Sequence, residues 1–314
     1  MEVSFITTVF NEEKTIEPFL DSLFKQTQIP DEIIIVDGGS SDATVKRIKD
    51  VRLKFKIYNG RVEIFIKKGN RSIGRNEAVK HTTGKIIVCS DAGNILDKNW
   101  IKEIIAPFTD KKIDVVAGYY QGMAKNAFQK CLIPYVLVMP DRVDPNSFLP
   151  ATRSVAFTKA IWEKVGGFNE NFSHNEDYVF AKCLQKVRAK IIFKKEAVVY
   201  WFPRTNLKQA FVMFFRFAYG DAEARIYRPK VIFLFIRYLV GIFLLAFAIM
   251  IQSVAAFLVL LILFLLYLLW AAVKNYRYVH MWQAFYLLPL IQVTADMAVI
   301  KGTILGMLNR KISY

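Results

Sequence analysis

The chain has 314 residues, a formal net charge of +16 and a hydrophobic fraction of 54%, enough for one large domain and a smaller part. Its basic residues are scattered and accompany no recognisable nucleic-acid module, which excludes nucleic acid as the partner and favours anionic lipid. Cys89, Cys131 and Cys183 are odd in number and widely spaced, which excludes a disulfide scaffold and fits core residues in a reducing compartment.

Val3 to Thr8 reads as a buried strand rather than a signal peptide. Asn11 is then expected to cap a helix whose inner face uses Ile16, Phe19, Leu20, Leu23 and Phe24. A second strand, Ile33 to Val36, stops at Asp37-Gly38-Gly39-Ser40-Ser41-Asp42-Ala43-Thr44. The glycines there permit a tight turn, and Ser40 or Ser41 can cap the helix that starts near Asp42. Taken alone, this octapeptide is an ordinary strand-to-helix loop with a good cap. Val62 to Ile66 forms a third strand, Ile73 to His81 a helix, and Ile86 to Ser90 a fourth strand ending at Asp91. Strands alternating with helices predict an α/β fold with a mostly parallel, doubly wound sheet. Thr8, Asp37 and Asp91 then open towards one crevice at the carboxyl ends of the strands.

Past Trp100, Val115 to Tyr119 and Ala151 to Phe157 are expected as strands. They flank a loop-rich stretch holding Pro134, Pro140, Pro145 and Pro150. A helix with Glu176 and Asp177 follows, then a strand at Ile191 to Phe193. From Asn206 to Tyr227, Leu207, Phe211, Phe214, Phe215 and Ala218 share one face, as in a helix lying along a membrane surface.

Val231 to Val273 is almost unbroken apolar and supplies two membrane spans joined by a tight turn near Gln252-Ser253. Arg216, Arg225, Arg228 and Lys230 precede the spans, Lys274 and Arg277 follow them, and the turn between carries no Lys or Arg. The positive-inside tendency therefore puts the N-terminal domain in the cytoplasm, with Arg237 snorkelling to the interface. Met281 to Leu308 contains Pro289, Asp296 and Lys301, and a third span would carry Arg310 and Lys311 outward. It is expected to be interfacial or re-entrant in preference to transmembrane. The expected organisation is a catalytic domain at 1–205, an amphipathic interfacial helix at 206–230, two transmembrane helices at 231–273 and a third apolar segment at 274–314.

With these pieces in order, the chain resembles the family 2 glycosyltransferases. The resemblance rests on Ile6-Thr7-Thr8-Val9-Phe10-Asn11-Glu12, on Asp31 through Thr44, on Arg75-Asn76-Glu77-Ala78 with Thr83-Gly84-Lys85-Ile86-Ile87, and on Gly166-Gly167-Phe168-Asn169-Glu170 followed by Glu176-Asp177. It covers roughly the first two-thirds of the chain, and the joint order and spacing make it specific. It implies a GT-A fold and transfer of a sugar from a nucleotide donor.

The resemblance assigns Asp37 as acceptor for the nucleobase ring NH, with Thr8 and Phe10 in the pocket wall, and turns Arg75 and Arg71 to the donor phosphates. Asp91 would bind the divalent cation, Mg²⁺ or Mn²⁺, that bridges those phosphates. The usual Asp-x-Asp is here Asp91-Ala92-Gly93, which puts metal dependence in question. Asp177 would be the general base of an inverting transfer, with Glu176 supporting it and His174 left without a role. Arg216 sits where membrane-bound members carry an arginine that grips the donor diphosphate.

The function implied is a membrane-anchored inverting transferase of cell-envelope glycan synthesis, on the cytoplasmic face of a bacterial or archaeal plasma membrane. It would use a nucleotide sugar, UDP-linked first, and a lipid-linked acceptor, with the oligomeric state open. The alternatives are sugar transfer to a polyprenyl phosphate and a catalytically silent nucleotide-sugar-binding membrane protein.

Overall fold

The structure is a computed structural model that describes residues 2–54, 61–172 and 174–309. The chain divides into two compact units, residues 1–122 with 138–202 and residues 123–137 with 203–314.

The first unit is built on eight strands: β1 (Val3–Val9), β2 (Glu32–Asp37), β3 (Arg61–Ile66), β4 (Ile86–Cys89), β5 (Ile95–Leu96), β6 (Val115–Gly122), β7 (Val155–Thr158) and β8 (Ile191–Trp201). Its helices are α1 (Ile16–Phe24), α2 (Thr44–Lys54), α3 (Arg71–Lys80), α4 (Trp100–Ile105), α6 (Lys159–Lys164) and α7 (Glu176–Lys186). The second unit contains α5 (Ala127–Val136), α8 (Leu207–Glu223), α9 (Pro229–Met250), α10 (Val254–Val279) and α11 (Ala284–Leu308).

The strands form one sheet in the order β3-β2-β1-β4-β7-β6-β8-β5. The β3-β2-β1-β4 half is parallel and β6 pairs parallel with β8, while β7 enters antiparallel to both β4 and β6 and β5 antiparallel to β8, so the mostly parallel sheet has a mixed second half. The parallel half is apolar on both faces because helices cover both. Every residue of β2 is buried, and Ile33, Ile35 and Val88 face one core while Ile34, Val36 and Ile87 face the other. Each such isoleucine contributes about 1.5–3 kcal/mol by burial. The first core continues through Phe19, Leu20 and Trp100, whose ring meets Phe5 edge-on at 6.2 Å.

Two expected caps are corrected. Asn11 has a positive φ of 55° and accepts from the Ser41 N–H, while α1 starts later, with Thr15 at its N-cap position. Ser40 accepts from the Asn11 N–H and donates to Asp37, and the Thr44 N–H at the start of α2 is taken by Asp42 Oδ1. The side chains at 11 and 40 are thus used to zip two adjacent loops together. The loop-rich stretch also hides a helix, α5, with Asn126 as N-cap and Pro134 inside it. The strand expected over 151–157 begins at Val155, because Ala151 and Ser154 close a turn, and β8 runs on to Trp201.

In the second unit, α9, α10 and α11 are all long and apolar enough to cross a membrane. Gln252, with φ of 49°, makes the turn between α9 and α10, and Ser253 caps α10 through the Ala256 N–H. The third segment forms one continuous helix, α11, of 25 residues, about 37 Å long at 1.5 Å per residue. Arg310 and Lys311 lie outside the described residues.

Asp296, the residue that argued against a span, is satisfied internally. It takes Arg237 Nη2 at 2.8 Å, the Tyr238 hydroxyl at 3.0 Å, the Tyr267 hydroxyl, and Gln292 Nε2 at 2.8 Å. Arg237 therefore turns to a carboxylate on α11, correcting the expectation that it snorkels, and its guanidinium lies 4.3 Å from the Tyr267 ring centroid. Further along, α11 runs against α8 with almost no space between the backbones. A Cβ placed on Gly302 would sit 2.4 Å from the Phe215 carbonyl, and one on Gly306 would sit 2.6 Å from that of Tyr219. Small residues four apart thus let the two helices touch, with Ala218 and Ala222 opposite.

Gly302→Leu should lower the thermal midpoint of the detergent-purified protein by the equivalent of about 1–3 kcal/mol. Gly241→Leu on α9, where nothing lies within 4 Å, should leave it unchanged. Calorimetry or a thermal-shift assay on both variants checks the contrast.

Candidate active site

The parallel register puts the carboxyl ends of β1, β2 and β4 on one edge, with Val9 opposite Asp37 and Ile6 opposite Cys89. At the end of β2 the chain turns through Gly38, whose N–H bonds the Val9 carbonyl at 2.8 Å. Asp37 is 1% exposed. Its Oδ2 takes the Gly39 and Ser40 N–H groups at 3.0 and 2.9 Å, and its Oδ1 takes the Ser40 hydroxyl at 2.5 Å. It therefore shapes the turn as well as lining it, and Gly39, at φ of 97°, supplies the backbone that this turn needs. Thr8 is half-buried, packed so tightly under α3 that a Cβ on Gly74 would lie 2.7 Å from its methyl group. Phe10, just past β1, is 59% exposed and stands over Gly38.

The centre of the site is Arg75. It rises from α3 into the protein, 1% exposed, and forks between two carboxylates: Nη1 donates to Glu176 Oε1 at 2.7 Å and Nη2 to Asp91 Oδ1 at 2.8 Å. Its carbon centre lies 5.6 Å from the Phe168 ring. Both terminal nitrogens are spent on protein groups, so Arg75 organises the site rather than presenting itself to solvent. Beside it, Asn76 clasps the Gly-Gly-Phe segment: its amide donates to the Phe168 carbonyl and to Glu170 Oε1, both at 2.8 Å, and its oxygen accepts from the Phe168 N–H at 2.8 Å. A Cβ on Gly167 would lie 2.8 Å from that oxygen, and φ of 73° there independently favours glycine. Two motifs separated by about ninety residues in sequence are one interlocked structure.

Electrostatics divides the three carboxylates. Burial alone would raise the Asp91 carboxyl, but Arg75, Arg71 and Arg153 outweigh it and hold the group below its ordinary value. Glu176 is likewise held low against burial by its pairing with Arg75. Asp177 goes the other way. Burial and the adjacent Glu176 charge raise it, and Arg75 and Arg153 offset only part of that. Burial also pushes the Cys89 thiol up to about 12, leaving it a core group. Asp177 stands in the first turn of α7, after Asn175 in a left-handed conformation, and its Oδ1 accepts from the Tyr178 N–H.

Arg71, the first residue of α3, is exposed and reaches Asp91 and Glu176 through its charge. Arg216 belongs to the second unit, on the exposed face of α8. Arg153 was missed from sequence. It precedes β7, and no local pattern marks it; only the β4–β7 register brings it to Asp91.

Residues 4–146 match the model of Glycosyl transferase family 2. Residues 4–146 are thus similar to a family 2 glycosyltransferase domain. The match takes in Thr8, Asp37, Arg75 and Asp91 and stops before Arg153, Glu176 and Asp177. Among curated relatives, the O-antigen chain rhamnosyltransferase RfbN of Salmonella typhimurium is 25% identical over 223 residues, 63% of this chain and 66% of that protein. The dolichyl N-acetyl-alpha-D-glucosaminyl phosphate 3-beta-D-2,3-diacetamido-2,3-dideoxy-beta-D-glucuronosyltransferase of Methanococcus voltae is 25% identical over 224 residues, 66% of this chain and 68% of that protein. The chain thus spans about two thirds of the length of these relatives. The mannosyltransferase PcManGT from Pyrobaculum calidifontis, solved with GDP-Man and Mn²⁺, superposes with a TM-score of 0.69 at 16% identity, covering 99% of this chain and 88% of that one. The architecture is a GT-A fold followed by three candidate membrane helices.

Replacing Arg75 by Met should destabilise the protein by about 3–5 kcal/mol, because Glu176 would be left buried without its cation. Arg75→Lys should recover only part of this, since one ammonium cannot serve both carboxylates. Adding Glu176→Gln to Arg75→Met should recover a further part. Thermal or denaturant unfolding of the three variants checks the order.

Proposed function

We propose that the protein is an inverting glycosyltransferase that moves a sugar from a nucleoside diphosphate donor, UDP-linked in the first instance, to a lipid-linked acceptor at the cytoplasmic face of a membrane. The observation that carries the reading is the buried fork of Arg75 between Asp91 and Glu176, with Asp177 next in the chain and raised. The relatives support the class: one is named for the O-antigen chain and the other for a dolichyl-linked sugar phosphate. Orientation rests on Arg225 and Arg228 before α9, Lys230 in its first turn, and Lys274 and Arg277 near the end of α10, against a short turn with no Lys or Arg.

In this reading Thr8, Phe10 and the Asp37 turn hold the nucleobase, and Arg71 meets the donor phosphates. Asp177 takes the proton of the acceptor hydroxyl as its oxygen bonds to the anomeric carbon, the carbon–oxygen bond to the diphosphate breaks, and the nucleoside diphosphate leaves. A raised carboxyl suits this, because its ionised form is a stronger base than an ordinary aspartate. Glu176, locked to Arg75, stays charged and keeps Asp177 poised.

A divalent cation has a minimal but adequate ligand. Asp91 is 36% exposed and has only one oxygen on Arg75, and Mg²⁺ is commonly held by one or two carboxylates together with substrate phosphates. Among the described residues no three His, Cys, Asp or Glu side chains converge on a metal position. Gly93, at φ of 90°, replaces the second carboxylate in a backbone shape that favours glycine. Bound at Asp91, the cation would neutralise the leaving diphosphate.

Sugar transfer from a panel of UDP- and GDP-sugars to a lipid extract, with Mn²⁺, Mg²⁺ or EDTA, tests the reading. Asp91→Ala should abolish metal-stimulated release of the nucleoside diphosphate. Asp177→Asn should lower kcat by about 10²–10⁴ for a hydroxyl acceptor. Because the base works only when deprotonated and its folded pKa is raised, kcat/KM should fall as pH drops through a value above the ordinary aspartate figure of about 3.9. No release with any donor would overturn the proposal.

A further inference from the structure

Arg153 differs from the other basic residues around Asp91. Its guanidinium lies between two aromatic rings, 5.5 Å from the centroid of Tyr120 and 5.2 Å from that of Trp201. Among the described residues it has no ion pair, whereas Arg75 has two.

Its place is fixed by the sheet. Cys89 pairs with Val155 in the antiparallel β4–β7 register, so the residues just after β4 and just before β7 share one edge. The Ser90 hydroxyl donates to the Arg153 carbonyl at 2.8 Å, and the Ser154 N–H closes the turn on Ala151 at 2.9 Å. Ala117 of β6 pairs with Val155, and Tyr120 and Gly122 pair with Val199 and Trp201 of β8, which brings both rings to the same edge. Along that edge the order is the Asp37 turn on β2, then Asp91 after β4, then Arg153, Tyr120 and Trp201. Arg153 therefore stands on the far side of Asp91 from the proposed nucleobase pocket, and its charge acts on both Asp91 and Asp177.

A planar guanidinium stacked on rings keeps its N–H fork fixed at little cost in side-chain entropy, and that fork matches phosphate oxygens.

We propose that Arg153 is a phosphate-binding residue of the crevice, held between Tyr120 and Trp201 and contacting a phosphate of a bound substrate. This rests on the transferase reading. The phosphate belongs either to the donor diphosphate or to the acceptor lipid.

The test uses full-length, detergent-purified protein and equilibrium binding of UDP, GDP and farnesyl phosphate, with thermal midpoints recorded. Arg153→Gln should weaken at least one of these ligands about tenfold or more, with Arg153→Lys recovering part of the loss. Loss confined to UDP or GDP assigns the donor diphosphate; loss confined to farnesyl phosphate assigns the acceptor phosphate. Arg153→Met, which keeps an apolar stem between the rings, replaces the Gln variant if that does not fold. Folded variants that bind all three ligands within twofold of wild type would overturn the proposal and leave Arg153 as a packing residue. Wild-type protein that binds neither UDP nor GDP would overturn the transferase reading as well, which separates the two failures.

Discussion

A buried arginine shared by two carboxylates ties all three groups into one unit. Arg75 is such a group, and the site is arranged around it. It comes from α3, Asp91 from the loop after β4, and Glu176 from the start of α7, so one side chain fixes three elements that are far apart in sequence. Removing Arg75 leaves Glu176 buried and uncompensated, a penalty of several kcal/mol. The Asn76 clasp on Phe168 and Glu170 works beside it and holds the segment that leads into α7. The position of Asp177 follows from this frame, because Glu176 cannot move without breaking the fork.

The second unit solves a related problem in a different medium. Apolar helices gain little from burying side chains against one another in lipid, so their association depends on close packing and polar links. Gly302 and Gly306 supply the first against α8, and Asp296 supplies the second, with Arg237, Tyr238 and Tyr267 from α9 and α10 and Gln292 from α11 itself. An aspartate that looks forbidding inside an apolar segment is the point where three helices are tied.

How legible these features were depended on how local their causes are. The runs of Ile and Val in β1, β2 and β4 announced buried parallel strands, and the apolar stretch after Val231 announced two spans, because each signal is carried by adjacent residues. The residues gathered at Arg75 were quoted as separate motifs, but their mutual pairing was not, since it depends on tertiary approach. Asn11 and Ser40 have good capping chemistry, and tertiary context turned it to the link between two loops. Helix α5 was hidden by Pro134, and the antiparallel entry of β7 by the absence of any sequence mark for strand direction. Arg153 is the extreme case: its importance rests entirely on that register.

Charge balance joins these observations. Asp91, Glu176 and Asp177 face Arg71, Arg75 and Arg153, and each carboxyl titrates under the influence of two or more of these neighbours. With all three carboxylates ionised the set is formally neutral. In the proposed transfer a nucleoside diphosphate would add two or more negative charges to it, and a divalent cation arriving with the donor would restore the balance. With a second carboxylate at position 93 the empty site would carry a net negative charge, and would hold a cation more strongly before the donor arrived. In the proposed transfer, glycine there would leave the donor phosphates as the main ligands of a cation held at Asp91, so that metal and nucleotide would bind as a pair. The same balance sets Asp177 apart, because it is the one carboxyl of the three that its surroundings raise.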